Sequence, residues 1–145
     1  FFCINGVVTM AEIGKIKKLV VHCSDSPQGR GDTAKTINRW HLEKSWDGIG
    51  YHSVILEDGT IENGRPIYWK GSHVGAFNSE SLGVCLIGKG GDATQEQLLS
   101  LHEQLMRWLT LFPDAEICGH TDLDPRKTCP GFDVKKWWVK VNDYD

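Results

Sequence analysis

The features typical of nucleic-acid-binding, membrane and disulfide-rich secreted proteins are absent from the sequence. No basic stripe or Lys/Arg block is present, and a net charge of −3 argues against a nucleic-acid-binding or membrane-surface protein. No run approaches the ~20 apolar residues that cross a bilayer, so we expect no membrane insertion. The cysteines are odd in number and irregularly spaced, unlike a secreted disulfide framework: Cys3, Cys23, Cys85, Cys118 and Cys129. A chain made in a reducing cytosol fits these absences best. Three of the cysteines, Cys23, Cys85 and Cys118, lie in apolar strand-like segments and are expected to be small buried core residues.

The first residues also lack the marks of a signal peptide. Residues 1–9 are apolar, but they have no basic region and no convincing cleavage site. Met10, followed by Ala11 and Glu12, resembles a natural start. We therefore interpret residues 1–12 as an N-terminal extension and residues 13–145 as one domain, which is long enough to bury a core without disulfides.

Apolar strand-like runs alternate with amphipathic segments, which predicts an α/β fold with a central mixed β-sheet flanked by helices. Thr94 and Gln97 form a capping box for a long helix, Asp32 is placed to cap an earlier helix, and Asp133 a terminal one. Residues 120–131 are predicted to be a loop. The predicted strands cover residues 16–23, 51–57, 60–62, 82–87 and 115–119, and the first two predicted helices cover residues 33–44 and 94–112.

The segment Lys127–Phe132 carries the clearest chemical signal. Cys129 lies in a turn fixed by Pro and Gly, and His120 precedes it by nine positions. A thiolate and an imidazole at one end of a sheet suit a soft metal, with zinc as the first choice, and His22 is the best candidate for a third ligand. The pattern HExxH is absent. Each residue also has an ordinary interpretation, because an isolated Cys is more often a buried thiol and an isolated His a hydrogen-bonded side chain.

Several short blocks, in order, resemble the type 2 N-acetylmuramoyl-L-alanine amidases, which include phage endolysins; the peptidoglycan recognition proteins belong to the same superfamily. The resemblance runs from about Val21 to Trp138. The stretch before His22 does not match. The blocks are Val21-His22-Cys23-Ser24, Gly50-Tyr51-His52, Gly71-Ser72-His73, Ser81-Leu82-Gly83-Val84-Cys85-Leu86, Lys127-Thr128-Cys129-Pro130-Gly131-Phe132-Asp133 and Trp137-Trp138.

The resemblance implies that His22, His120 and Cys129 bind Zn²⁺ while Tyr51 and Lys127 assist the chemistry. The implied reaction is hydrolysis of the amide between N-acetylmuramic acid and L-alanine in bacterial peptidoglycan. Three protein ligands would leave a fourth position open for water, as in catalytic zinc sites. From their positions we add a candidate substrate contact, His73, and two histidines expected on helix surfaces, His41 and His102.

The family likeness also sets expectations about the setting in which the protein acts. A phage lysin made in the host cytoplasm without a signal peptide would reach the wall after membrane permeabilisation, and we expect a monomer. One phage member of the family also inhibits a phage RNA polymerase, and the sequence does not decide whether this chain does. Three alternatives stay open: a cytoplasmic recycling amidase acting on soluble anhydro-muropeptides, a non-catalytic peptidoglycan-recognition module, and a structural zinc protein.

Overall fold

A computed structural model of the protein describes residues 3–4, 7–8 and 15–143. Near the N-terminus, β1 (Cys3–Ile4) pairs antiparallel with β2 (Val7–Val8). The rest of the predicted extension, apart from these two strands, lies outside the described residues. The division into residues 1–12 and 13–145 therefore stays a prediction.

A mixed sheet of five strands forms the centre of the fold, as the sequence predicts. Its strand order is β5-β4-β6-β3-β7, in which β4, β6, β3 and β7 run parallel and β5 pairs antiparallel with β4. Because β3 pairs parallel with both β6 and β7, the carboxyl ends of the three strands lie at the same edge of the sheet. The bounds are β3 (Lys18–Cys23), β4 (Ser53–Ile55), β5 (Ile61–Asn63), β6 (Ser81–Leu86) and β7 (Glu116–Gly119).

Helices cover both faces of the sheet. On one face, Leu101 and Leu105 of the long helix α2 pack against Leu19 and Val21 in an apolar core. On the other face α1 packs through Ile37. The helices are α1 (Ala34–Glu43), a 3₁₀ helix (Gly75–Glu80), α2 (Gln95–Leu111), α3 (His120–Leu123) and α4 (Val134–Val141). Within the described part of the chain, no helix is both long and apolar enough to span a membrane.

Local capping chemistry explains where the helices begin. The Thr94–Gln97 capping box is confirmed, and the buried Gln97 amide also donates to the carbonyls of Ile55 and Ile87, which ties α2 to the sheet. Asp133 caps α4 by accepting from the Lys136 N–H, as predicted.

Two predicted details of the helices were wrong. The N-cap of α1 is Thr33, which forms a capping box with Thr36, whereas the Asp32 carboxylate accepts hydrogen bonds from the Arg30 guanidinium. A strong charged partner two residues away draws Asp32 from the helix end. The predicted loop 120–131 begins with one helical turn, α3, because the Asp122 carboxylate accepts from the Gly119 N–H and caps it.

Candidate metal centre and active-site cleft

Three metal-binding side chains meet at the carboxyl edge of the parallel strands. His22 lies near the end of β3, His120 directly follows β7, and Cys129 lies in the loop before α4. One donor atom from each residue lies within 4.8 Å of the other two. Two imidazoles and one thiol at this spacing fit a soft divalent metal such as zinc. The structure therefore brings together all three predicted ligands in a group that could hold a metal.

The surroundings of His22 and His120 favour the neutral form of both imidazoles. His22 is 1% exposed, and this burial, helped by the nearby His73 and His120, holds its pKa well below the usual value. Burial also lowers the pKa of His120, whose ring centroid lies 4.6 Å from that of His22. A metal binds the uncharged imidazole, so low pKa values suit this role.

Cys129 has a close neighbour that the sequence analysis assigned to the core. The Cys23 N–H donates to Cys129 Sγ at 2.9 Å. The two thiols also share a hydrogen bond, which lowers the pKa of Cys23 to about 7. The same hydrogen bond, together with burial, raises the pKa of Cys129, so its thiolate would form with the loss of a proton when a metal binds. Cys85 and Cys118 are fully buried in strands, as predicted.

A cleft of about 800 Å³ opens beside the three ligands and is lined by one of them, His120, and by both predicted helper residues, Tyr51 and Lys127. The Tyr51 ring centroid lies 5.0 Å from that of His22. Burial first, then the neighbouring thiols Cys85, Cys129 and Cys23, raise the pKa of Tyr51, so its hydroxyl keeps its proton at neutral pH.

Lys127 approaches the cleft from the loop that carries Cys129. Its backbone N–H donates to the carbonyl of Asp124, which closes a turn, and its side chain is exposed at the rim. Its positive charge lowers the pKa of His120 further, whereas the Asp124 carboxylate acts in the opposite direction. The cleft thus presents a cation close to the ligand cluster.

His73 lies at the floor of the cleft and is only 9% exposed. Its Nδ1 is 2.8 Å from His22 Nε2, and its Nε2 is 3.2 Å from the hydroxyl of Ser81. The Asn78 amide oxygen accepts from the His73 backbone N–H. The ring therefore contacts a predicted metal ligand directly.

One histidine prediction was wrong. His41, expected on the surface, is buried, and its Nδ1 accepts from the Gly50 N–H at 2.9 Å. The signal was available, because His41 follows the buried Ile37 by four residues and so lies on the same helix face. The bond fixes the residue before Tyr51. His102 is half-buried on α2, with its Nε2 bonded to Asn142.

Comparison with known proteins bears on what this arrangement does. The family model of the N-acetylmuramoyl-L-alanine amidases matches residues 13–132. The endolysin of Escherichia phage T7 is 38% identical over 129 residues, which cover 84% of this chain and 85% of that protein.

Solved structures agree with this family relationship. The endolysin N-acetylmuramoyl-L-alanine amidase LysCS from Clostridium intestinale superposes with a TM-score of 0.81 at 26% identity, covering 94% of this chain and 90% of that chain. The peptidoglycan recognition protein PGRP-SA of bumblebee shares the fold, with a TM-score of 0.79 at 22% identity over 92% of this chain and 85% of that chain. The family and fold predictions are confirmed: the chain belongs to the N-acetylmuramoyl-L-alanine amidases.

Proposed function

We propose that the cleft hydrolyses the amide bond between N-acetylmuramic acid and L-alanine in peptidoglycan, with Zn²⁺ held by His22, His120 and Cys129. The observation that carries this proposal is the meeting of two imidazoles and a thiol beside an open cleft, which His120 lines, in a member of this family. The group contains three donors among the described residues, which leaves a coordination position for water. This count favours a catalytic site over a structural one.

When bound, Zn²⁺ would supply a Lewis acid for the amide carbonyl and lower the pKa of bound water to about 7. The remaining work falls to side chains of this chain. Cleavage of an amide develops negative charge on the carbonyl oxygen and requires a proton for the leaving amine.

Lys127 is the residue we assign to the developing oxyanion. It lies on the cleft rim near His120, and its ammonium group can stabilise negative charge on the carbonyl oxygen. Tyr51 is assigned a second role, because a hydroxyl that keeps its proton at neutral pH can donate a hydrogen bond to the oxyanion or to the leaving amine. Its place beside His22 supports this assignment. His73 also lines the cleft, and the prediction that it contacts the substrate stays open.

The biological role we propose is that of a phage endolysin acting on the intact cell wall. The similarity to the phage T7 endolysin supports this, because it extends over most of both chains. In this proposal the protein is made as a monomer in the host cytoplasm and acts on the wall once the membrane is permeabilised. Inhibition of a phage RNA polymerase stays undecided.

Digestion of purified sacculi tests the proposal. Zinc-loaded protein should release peptides with new free L-alanine amino groups and no new reducing sugar ends. Chelation should stop the release, and added Zn²⁺ should restore it. Release of reducing ends instead would assign the cleavage to a glycosidic bond and contradict the proposal.

The same preparation separates the endolysin from its main alternative. Intact sacculi and soluble anhydro-muropeptides are offered at equal concentrations of cleavable amide. An endolysin should hydrolyse the sacculi readily, whereas a recycling amidase should act on the soluble fragments alone.

A further inference from the structure

A chain of hydrogen bonds runs from His22 into the protein interior. His22 Nε2 lies 2.8 Å from His73 Nδ1, and His73 Nε2 lies 3.2 Å from the hydroxyl of Ser81. The Ser81 hydroxyl in turn lies 2.8 Å from the carbonyl oxygen of Phe77. All three side chains are buried, so water does not replace these contacts. The chain begins at a predicted metal ligand and ends on the backbone.

The protons along this chain can be assigned by counting donors. A carbonyl oxygen only accepts, so the single hydroxyl hydrogen of Ser81 points to Phe77. The Ser81 oxygen must then accept from the Nε2–H of His73. A neutral imidazole that donates through one nitrogen accepts through the other, and burial disfavours the doubly protonated ring. His73 Nδ1 is therefore an acceptor.

The same count of donors and acceptors assigns the tautomer of His22. Since His73 Nδ1 accepts, His22 Nε2 carries the hydrogen and donates it. In the neutral His22 ring, the lone pair is then on Nδ1. Nδ1 is the only ring nitrogen of His22 left for a metal.

The His73 ring is held in place by its surroundings. A Cβ atom added at Gly83 would lie 2.6 Å from His73 Nδ1, and one at Gly71 would lie 2.8 Å from its Cδ2. No side chain larger than hydrogen fits at either position without displacing the ring. The two glycines thus allow backbone to enclose His73 and fix the direction of its Nδ1.

We propose that His73 is a positioning residue that holds His22 in the tautomer with a free Nδ1 and aims that atom at His120 and Cys129. The proposal rests on the metal role of His22 proposed above. Metal-bound histidines generally donate their other N–H to a fixed acceptor, and loss of such an acceptor typically weakens metal binding 10–100-fold. Here the acceptor is another imidazole, itself fixed by Ser81.

Nitrogen NMR of the histidine rings tests the assignment without any measurement of hydrolysis. In the zinc-free parent protein at neutral pH, His22 should show a protonated Nε2 and an unprotonated Nδ1, and His73 should show the same tautomer. A parent spectrum with the hydrogen on His22 Nδ1 overturns the proposal. Because this measurement needs no variant, it does not depend on any variant folding.

Zinc affinity, measured by competition with a chelating dye, gives the second test. His73→Phe keeps a ring but removes the acceptor, so the affinity should fall about 10–100-fold. His73→Asn can place its amide oxygen near the former Nδ1 and should restore most of that loss. The matched control is His102→Phe on α2, which should bind zinc like the parent. Parent-like zinc affinity in folded His73→Phe contradicts the positioning role.

The outcomes separate this inference from the proposed function. Parent protein that binds zinc but leaves sacculi intact defeats the proposed reaction and leaves the role of His73 standing. Parent protein that hydrolyses sacculi, together with a His73→Phe variant of unchanged zinc affinity, defeats the inference alone.

Discussion

The two faces of the central sheet are built from the same strands but bury different kinds of side chain. Along β3, Leu19 and Val21 face α2 in a mainly apolar core, whereas Val20 and His22 face the opposite side. The first face excludes water through close packing. The second face buries imidazoles and thiols, each of which needs a partner. Among the described residues, no buried side-chain nitrogen or oxygen lacks a hydrogen bond.

Stability and chemistry depend on different faces of the sheet. The apolar face stabilises the fold by removing hydrocarbon from water. The polar face holds side chains in fixed directions, as shown by the contacts of His22 with His73 and of His41 with Gly50. Variants on the apolar face should therefore change unfolding without changing turnover, whereas variants of the metal ligands and cleft residues on the polar face should do the reverse.

The largest expected effect on activity comes from Cys129→Ser. A neutral hydroxyl is a far poorer zinc ligand than a thiolate, so zinc content and sacculus hydrolysis should both be lost while the zinc-free fold persists. Cys85→Ser is the matched control, because it places a hydroxyl in a fully buried strand. It should lower the free energy of unfolding by about 1–3 kcal/mol with zinc retained. Metal analysis and denaturant unfolding check both variants, and the opposite pattern would mean that Cys129 is not the metal thiol.

Lys127→Ala should have the next largest effect. Removal of one group that stabilises an oxyanion usually lowers turnover by about 10²–10³, and zinc and substrate binding should persist. Lys136→Ala, on α4, removes an exposed lysine away from the cleft and serves as the control. The test is the rate of sacculus hydrolysis at full zinc occupancy. A parent-like rate for Lys127→Ala would show that Lys127 does not stabilise the oxyanion.

Tyr51→Phe keeps the ring and removes only the hydroxyl. One hydrogen bond to a charged group contributes about 1.5–3 kcal/mol, which corresponds to a fall in turnover of about 10–10². Zinc content should match the parent. Single-turnover kinetics on sacculi would show the slower step, and an unchanged rate with zinc bound would require another proton donor.

The smallest effect on turnover, with a large effect on stability, is expected from Leu101→Ala. Leu101 is fully buried against the apolar face, so its truncation should cost about 2–5 kcal/mol in free energy of unfolding. Leu99→Ala on the same helix is the control, because Leu99 is 66% exposed and should change stability by less than about 0.5 kcal/mol. Turnover per folded molecule should match the parent in both. A lower turnover for folded Leu101→Ala would show that packing on the apolar face affects catalysis, which would contradict the separation of the two faces.

The sequence predicted well what local chemistry determines. The Thr94–Gln97 and Asp133 caps depend on side chains within three residues, and the strand predicted over residues 16–23 follows from an apolar run. His22, His120 and Cys129 were grouped by resemblance and by their expected place at strand ends, and the structure brings them together.

Contacts between distant segments were beyond what the sequence predicts. His73 reaches His22 across 51 positions, and no local pattern indicates which ring nitrogen would face it. Cys23 was interpreted as a core thiol, yet its N–H points at a sulfur 106 positions away. The prediction that Asp32 caps α1 was wrong for a different reason, since the nearby Arg30 guanidinium binds its carboxylate.

X-ray absorption at the zinc edge of the loaded protein tests the central claim most directly, because it reads the ligand atoms themselves. The account predicts two imidazole nitrogens at about 2.0–2.1 Å, one sulfur at about 2.3 Å and one further light atom from water. Cys85→Ser should keep the sulfur signal, whereas Cys129→Ser should give no zinc-edge spectrum because its zinc is lost. A spectrum without sulfur, or one with two sulfurs and no water, would contradict a catalytic zinc held by His22, His120 and Cys129.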